Sequence, residues 1–172
     1  MIDLLRKRRS IREFQDRPVE PEKVEILKEA VLRAPTARNL RSWEFIFVDD
    51  PALMKKLALV RGSSSAFLDG APLGIVVLGK EETTNVWIED ASIAAFAAQL
   101  TATSIGLGSC WAQIRLRDHS PEKTAEEYVR ELLDIPKEYS VLCILGVGYP
   151  AEEKKAVPKG DLPYEKIHEN KF

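Results

Sequence analysis

The chain has 172 residues, 45% of them hydrophobic and 30% charged, with a formal net charge of -2. That length suits one domain over residues 1–172 with a core that needs neither metal nor disulfide, and the composition excludes a disordered or fibrous chain. A nucleic-acid binder would carry its cations in net excess, and no stretch approaches the ~20 apolar residues that span a bilayer, so neither nucleic acid nor membrane is expected as a partner. Cys110 and Cys143 sit in apolar runs without zinc-type spacing and read as buried free thiols. The N-terminus has no apolar stretch ending in a cleavage site, which leads to the expectation of a cytoplasmic protein.

In chain order, Asp3 can cap a short basic helix that stops near Arg9, and Ser10–Phe14 alternates polar and apolar like an extended segment. Pro21 suits a first helical position, and Val24, Leu27, Val31 and Ala34 recur at helical spacing until Pro35 ends the run. Residues 43–48 (WEFIFV) read as a buried strand, followed by a helix opened by Pro51. Residues 61–70 read as a loop or frayed helix, and 74–79 (GIVVLG) as a second strand. The Ala-rich stretch from Trp87 to Ile105 is apolar nearly all round, the mark of a helix enclosed by protein, and Gly106 suits its C-terminal cap. Two more strands are predicted at 109–114 and 141–147, with a helix over Pro121–Leu133 between them. The tail from Ala151 to Phe172 has no core of its own. This order gives an α+β protein with a sheet of at least four strands; the polar tail together with the all-round apolar helix points to a second copy of the chain as a homodimer partner, a monomer whose own sheet covers that helix being the alternative.

Neither His119 nor His168 has a metal-spaced partner, and no GxSxG, Walker loop or GxGxxG occurs, so no metal is expected. No acid pair or nucleophile–base pair stands out. An enzyme built from this chain would use a bound cofactor for its reactive group. The segment from Arg6 to Phe14 holds five cations. Extended backbone puts Ser10 and Arg12 on one face while Ile11 enters the core, and Arg8 or Arg9 reaches the same space, a set suited to phosphate. A solvated helix end with its cations near the C-terminus fits the same spacing. Residues 34–43 (APTARNLRSW) offer Thr36 and Asn39 before a buried strand, which suits either a binding loop or a turn. Trp111 starts a strand of small residues and suits either core or cofactor wall.

Together and in this order, RRSIR at 8–12, APTARN at 34–39 leading to Trp43, the Asp90-led helix ending in GLGSCW, and GVGYPAE at 146–152 followed by Lys159 resemble the nitroreductase family of FMN-dependent oxidoreductases. The resemblance spans nearly the whole chain. It implies a nitroreductase-like α+β fold, a central mixed or antiparallel sheet flanked by helices, with a C-terminal extension packing on the partner subunit. It also implies that Arg8, Arg9, Ser10 and Arg12 hold the FMN phosphate, ribityl chain and pyrimidine edge, with Lys159 reaching the phosphate from the tail. Pro35, Thr36, Ala37 and Asn39 would approach the same flavin from the other subunit. Trp111, Ala112 and Gln113 would lie along the isoalloxazine, giving a backbone N–H to N5. The chain departs from the family pattern at Arg41 and Ser42, where Gln-Pro is usual, and at Gly160 and Asp161, where a further basic residue often follows.

The implied function is FMN-dependent oxidoreduction: a hydride passes from NADH or NADPH to flavin N5, and electrons then pass to nitroaromatic, quinone or similar acceptors by a ping-pong mechanism. The catalytic group would be the flavin itself rather than a side chain. A flavin carrier or redox-responsive protein without efficient turnover is the alternative that the missing acid–base pair allows.

Overall fold

The computed structural model describes residues 1–172 throughout. A short helix α1 (Ile2–Lys7) and an extended stretch precede α2 (Pro21–Leu32), β1 (Trp43–Val48), α3 (Pro51–Ala58), β2 (Leu73–Gly79), α4 (Trp87–Ser104) and β3 (Gly108–Gln113). A small hairpin of β4 (Asp118–Ser120) and β5 (Lys123–Thr124) leads to α5 (Ala125–Leu132) and β6 (Ser140–Gly148). Beyond β6 the chain has only two short 3₁₀ turns.

The strands form a four-stranded sheet in the order β1-β2-β6-β3, and every neighbouring pair is antiparallel. The expected α+β architecture is present, with an antiparallel rather than a mixed sheet. Helices cover both faces, so β2 is buried at every position and β6 at all but its first residue; continuous apolar runs follow from that. On one face Leu73, Ile75, Val77, Leu145 and Val147 pack with α2 and α4; on the other Val76, Leu78 and Ile144 pack with Met54, Leu57, Ala125 and Val129. Each fully buried Leu or Ile in these layers stabilises the fold by about 1.5–3 kcal/mol.

Helix α4 lies close against the sheet because its inner positions are Ala91, Ala94, Ala95, Ala98 and Ala102, all buried. Its outer side leaves Ile93 and Phe96 45% and 42% exposed, so its own chain does not enclose it all round. Gly106, at φ 80°, ends it in the left-handed conformation that glycine adopts without strain.

Three local expectations are corrected. Met1, not Asp3, precedes the first turn of α1; Asp3 lies inside it and pairs with Arg6 at 2.9 Å, and the helix ends at Lys7. The helix expected from Pro121 begins at Ala125, because Thr124 and Glu127 form a reciprocal capping box: the Glu127 N–H donates to Thr124 Oγ1 at 3.1 Å and the Thr124 N–H to Glu127 Oε2 at 2.8 Å. Residues 118–124, between β3 and α5, form the β4–β5 hairpin.

Candidate functional site

The basic segment is fastened in two directions. Ser10 bridges Ser109 in parallel, and the Ile11 N–H donates to the Ser109 carbonyl at 3.0 Å, laying the segment on the start of β3. Gly108 makes that approach possible, since a Cβ there would stand 2.9 Å from the Ile11 side chain. Ile11 is buried and Arg12 exposed, as the alternation predicts. Farther along, Gln15 N–H donates to the Tyr149 carbonyl at 2.9 Å and Ala151 N–H to the Glu13 carbonyl at 2.8 Å.

The same strap carries its own charges. Glu152 Oε1 accepts the Arg12 N–H at 2.6 Å and pairs with Lys154 at 2.9 Å, and Lys154 donates to the Ser10 carbonyl at 2.9 Å. The Arg12 N–H and the Lys154 ammonium hold the Glu152 carboxyl below the ordinary carboxylate range. Arg9 donates to the Lys155 carbonyl, whereas Arg8 and Arg12 take part in no ion pair. Next to Tyr149, the tyrosine hydroxyl and Arg17 hold Glu20 down to about 2.

Strand β3 is an edge of the sheet, paired with β6 on one side only. The Ser109 carbonyl turns outward to Ile11, and antiparallel alternation puts the backbone groups of Trp111 and Gln113 on the same outer edge. Arg61 Nη1 caps the Gln113 carbonyl at 3.1 Å, which leaves the Trp111 N–H on the open stretch. The Gln113 side chain is already engaged: Oε1 accepts the Trp111 indole N–H at 2.9 Å and Nε2 donates to the Arg115 carbonyl at 3.0 Å. Ala112 is buried and turned to the opposite face. Both cysteines are free and buried; burial pushes the Cys110 thiol up, with Arg12 and Lys154 opposing, and pushes Cys143 up further. Neither is a ready thiolate.

The loop after α2 stands elsewhere. Its Trp43 end pairs with Gly79, at the far end of the sheet from Ser10, and β1 is three strand spacings from β3, about 14 Å. No hydrogen bond joins residues 35–42 to residues 8–12 or to β3. Buried Asp90, in the first turn of α4, accepts the Ala37 N–H at 2.9 Å and the Ser42 hydroxyl at 3.3 Å. Thr36 Oγ1 accepts the Arg41 N–H at 3.1 Å, and Asn39 Oδ1 accepts from Arg41 Nε at 3.3 Å. Arg38, Asn39 and Arg41 all have left-handed φ, at 51°, 56° and 50°. Pro35 is exposed at the mouth of the loop. Lys159 is also separate: from Ala156 onward every residue is exposed, and every backbone hydrogen bond closes within the tail.

One chain therefore lays the strap of Arg8, Arg9, Ser10 and Arg12 on the start of the strand that carries Trp111, Ala112 and Gln113, joined to it at Ser109, and leaves Pro35, Thr36, Ala37, Asn39 and Lys159 apart. Sequence reasoning missed Glu152 and Lys154 as the clasp of the strap, because AEEKK reads as a solvated charge run. It also missed Arg61, whose only signal was its place in a glycine–serine loop.

The sequence matches the nitroreductase family over residues 5–61 and 58–149. The chain belongs to that family. This nitroreductase family member is 48% identical to an FMN-dependent nitroreductase of Clostridium difficile R20291, with a TM-score of 0.98 and all of both chains covered. It is 31% identical to a protein of Archaeoglobus fulgidus provisionally named an NADH dehydrogenase/NAD(P)H nitroreductase, over 99% of this chain and 98% of the other. The NADPH:FMN oxidoreductase of Vibrio harveyi, solved with NAD+, superimposes with a TM-score of 0.83 at 25% identity, covering 99% of this chain and 77% of that one.

Proposed function

We propose that this protein is an FMN-dependent NAD(P)H oxidoreductase of homodimeric form, passing electrons from NADH or NADPH to nitroaromatic, quinone or similar acceptors by a ping-pong cycle. The observation that carries the reading is the open edge of β3 at Trp111, flanked at its start by a strap whose Arg8 and Arg12 are in no ion pair. Those features suit the group. Phosphate asks for convergent cations, and a flat ring asks for unpaired backbone donors along one edge. The buried Ser109 hydroxyl, which has no partner, supplies a further donor beside the strap.

In this reading Arg8, Arg9, Ser10 and Arg12 hold the phosphate and ribityl end. The Trp111 N–H and its neighbours Ala112 and Gln113 line the ring. Pro35, Thr36, Ala37 and Asn39 come from the second subunit, since their own chain holds them away from β3. Lys159 reaches the phosphate on the exposed tail. Bound FMN supplies the hydride-accepting and electron-donating chemistry, so the protein's work is to bind, orient and exclude water. Rigid donors that cost no rearrangement as charge develops are the protein's means of helping. The exposed apolar residues of α4, Ile93 and Phe96, support burial against a second copy.

Stopped-flow bleaching of the flavin band by NADH or NADPH, then reoxidation by an added quinone, is the expected result. A purified protein that stays colourless and gains no flavin spectrum with added FMN overturns the reading. Bleaching without reoxidation would identify a carrier instead.

A further inference from the structure

Arg61 is a cation fastened to the open edge of β3 itself. Its Nη1 donates to the Gln113 carbonyl at 3.1 Å, its side chain is half-buried and it forms no ion pair, so Nε and Nη2 have no partner in the chain. The backbone is fixed as firmly. The Arg61 N–H donates to the Ser65 hydroxyl at 2.9 Å, and that fully buried hydroxyl donates in turn to the Ala58 carbonyl at 2.8 Å. Val60, the residue before, is fully buried, and its carbonyl accepts from His119 Nδ1 at 3.1 Å. The guanidinium is therefore in place before any ligand arrives, and little entropy remains to be lost in ordering it. The strand alone does not call for it: one carbonyl uses one of five donors, and a neutral side chain would satisfy it as well.

Resting on the functional reading above, the strap holds the phosphate at the start of β3 and the Trp111 N–H meets N5, so the ring runs along the edge toward Gln113. The Gln113 carbonyl lies two residues beyond Trp111, about 7 Å along the strand. Hydrogen bonds to a carbonyl or a ring nitrogen lie near the plane of the acceptor, and both bonds leave the same outer edge. That puts the guanidinium beside the rim of the ring and leaves the faces clear for reductant and acceptor. Hydride transfer breaks a C–H bond of the dihydronicotinamide and makes an N–H bond at N5, and the nicotinamide becomes a pyridinium cation. Two electrons and one proton arrive, so the neutral ring takes on one negative charge, spread over its pyrimidine nitrogen and carbonyls. A fixed cation at that rim favours the charged form over the neutral one. We propose that Arg61 stabilises this charge, raising the reduction potential of bound FMN and tightening the hold on its reduced form.

The test loads the native protein, Arg61→Gln and Arg61→Lys with FMN and measures each reduction potential at equilibrium with a dye of known potential, together with the Kd of oxidised FMN. Glutamine keeps a donor for the Gln113 carbonyl without the charge, and lysine keeps the charge. Arg61→Gln should lower the potential by about 30 mV, a tenfold weaker preference for reduced FMN in a two-electron couple, and leave the Kd of oxidised FMN within about twofold. Arg61→Lys should retain most of the native potential. An unshifted potential in Arg61→Gln, equal losses in both variants, or a loss of affinity as large for oxidised as for reduced FMN overturns the proposal and leaves Arg61 a cap on β3. A native protein that takes up no FMN fails the functional reading and this proposal with it. An Arg61→Gln protein that is yellow, bleaches with NADH or NADPH and keeps the native potential fails this proposal alone.

Discussion

Residues 9–15 and residues 156–172 both carry cations that the proposed function gives to one cofactor, yet their own chain treats them in opposite ways. The first is strapped to residues 149–155 by backbone pairs, by Glu152 and by Lys154. The second makes no backbone hydrogen bond outside itself and leaves Tyr164, Ile167 and Phe172 exposed at 54%, 67% and 106%. A side chain that one subunit can hold ready contributes to binding without an ordering cost. One on an unattached arm contributes only after something else has ordered it. In the proposed reading the difference separates the half of the site that one subunit completes from the half that waits for a second.

Deleting residues 156–172 is the most severe way to break that contrast. The shortened chain should keep its far-ultraviolet spectrum, run at half the native mass in light scattering, and lose FMN affinity by about a hundredfold, the equivalent of two charge-assisted contacts. A shortened chain that stays dimeric and yellow would put the tail outside the site. Next in size is Asp90→Ala, which strands the Ala37 N–H and the Ser42 hydroxyl in a buried place and should cost about 3 kcal/mol in urea unfolding. Arg12→Ala should weaken FMN retention by about tenfold in equilibrium dialysis, whereas Lys7→Ala, on an exposed residue of α1, should change it little; equal effects would mean that the cations are divided wrongly.

The smallest effect sharpens the comparison through pH. Glu20 falls from an ordinary 4.5 to about 2, chiefly through the Tyr149 hydroxyl. A carboxylate whose folded value is depressed stabilises the fold fully above its unfolded value and loses that contribution as pH falls through the folded one. The native protein should therefore lose stability between about pH 4.5 and 2, and Glu20→Gln should flatten that part of the curve.

The strands and long helices were legible because burial on both faces leaves an apolar run that punctuation closes: Asp49, Asp50 and Pro51 after β1, Gly106 after α4. The β4–β5 hairpin was not, because its residues are polar and its pairing follows from where α5 and residues 59–64 pack. The capping box at Thr124 was present in the sequence, but Pro121 offered an earlier and equally ordinary helix start. In the site, the basic segment could be read from extended alternation. Its clasp could not, since Glu152 lies 140 residues from Arg12. Asp90 could be seen as the head of a helix, but the groups it holds lie 53 and 48 residues upstream, and local pattern says nothing of them.

The open edge of β3 has a bearing on how the protein survives in a cell. An unpaired strand edge is a template on which other chains can add, and an FMN bound along it, as proposed, would remove the template. Loading and colloidal behaviour are then one equilibrium, since whatever binds only the folded form shifts it by mass action. During expression the soluble yield should follow the flavin content of the medium, and chains made in its absence should be the first to enter inclusion bodies.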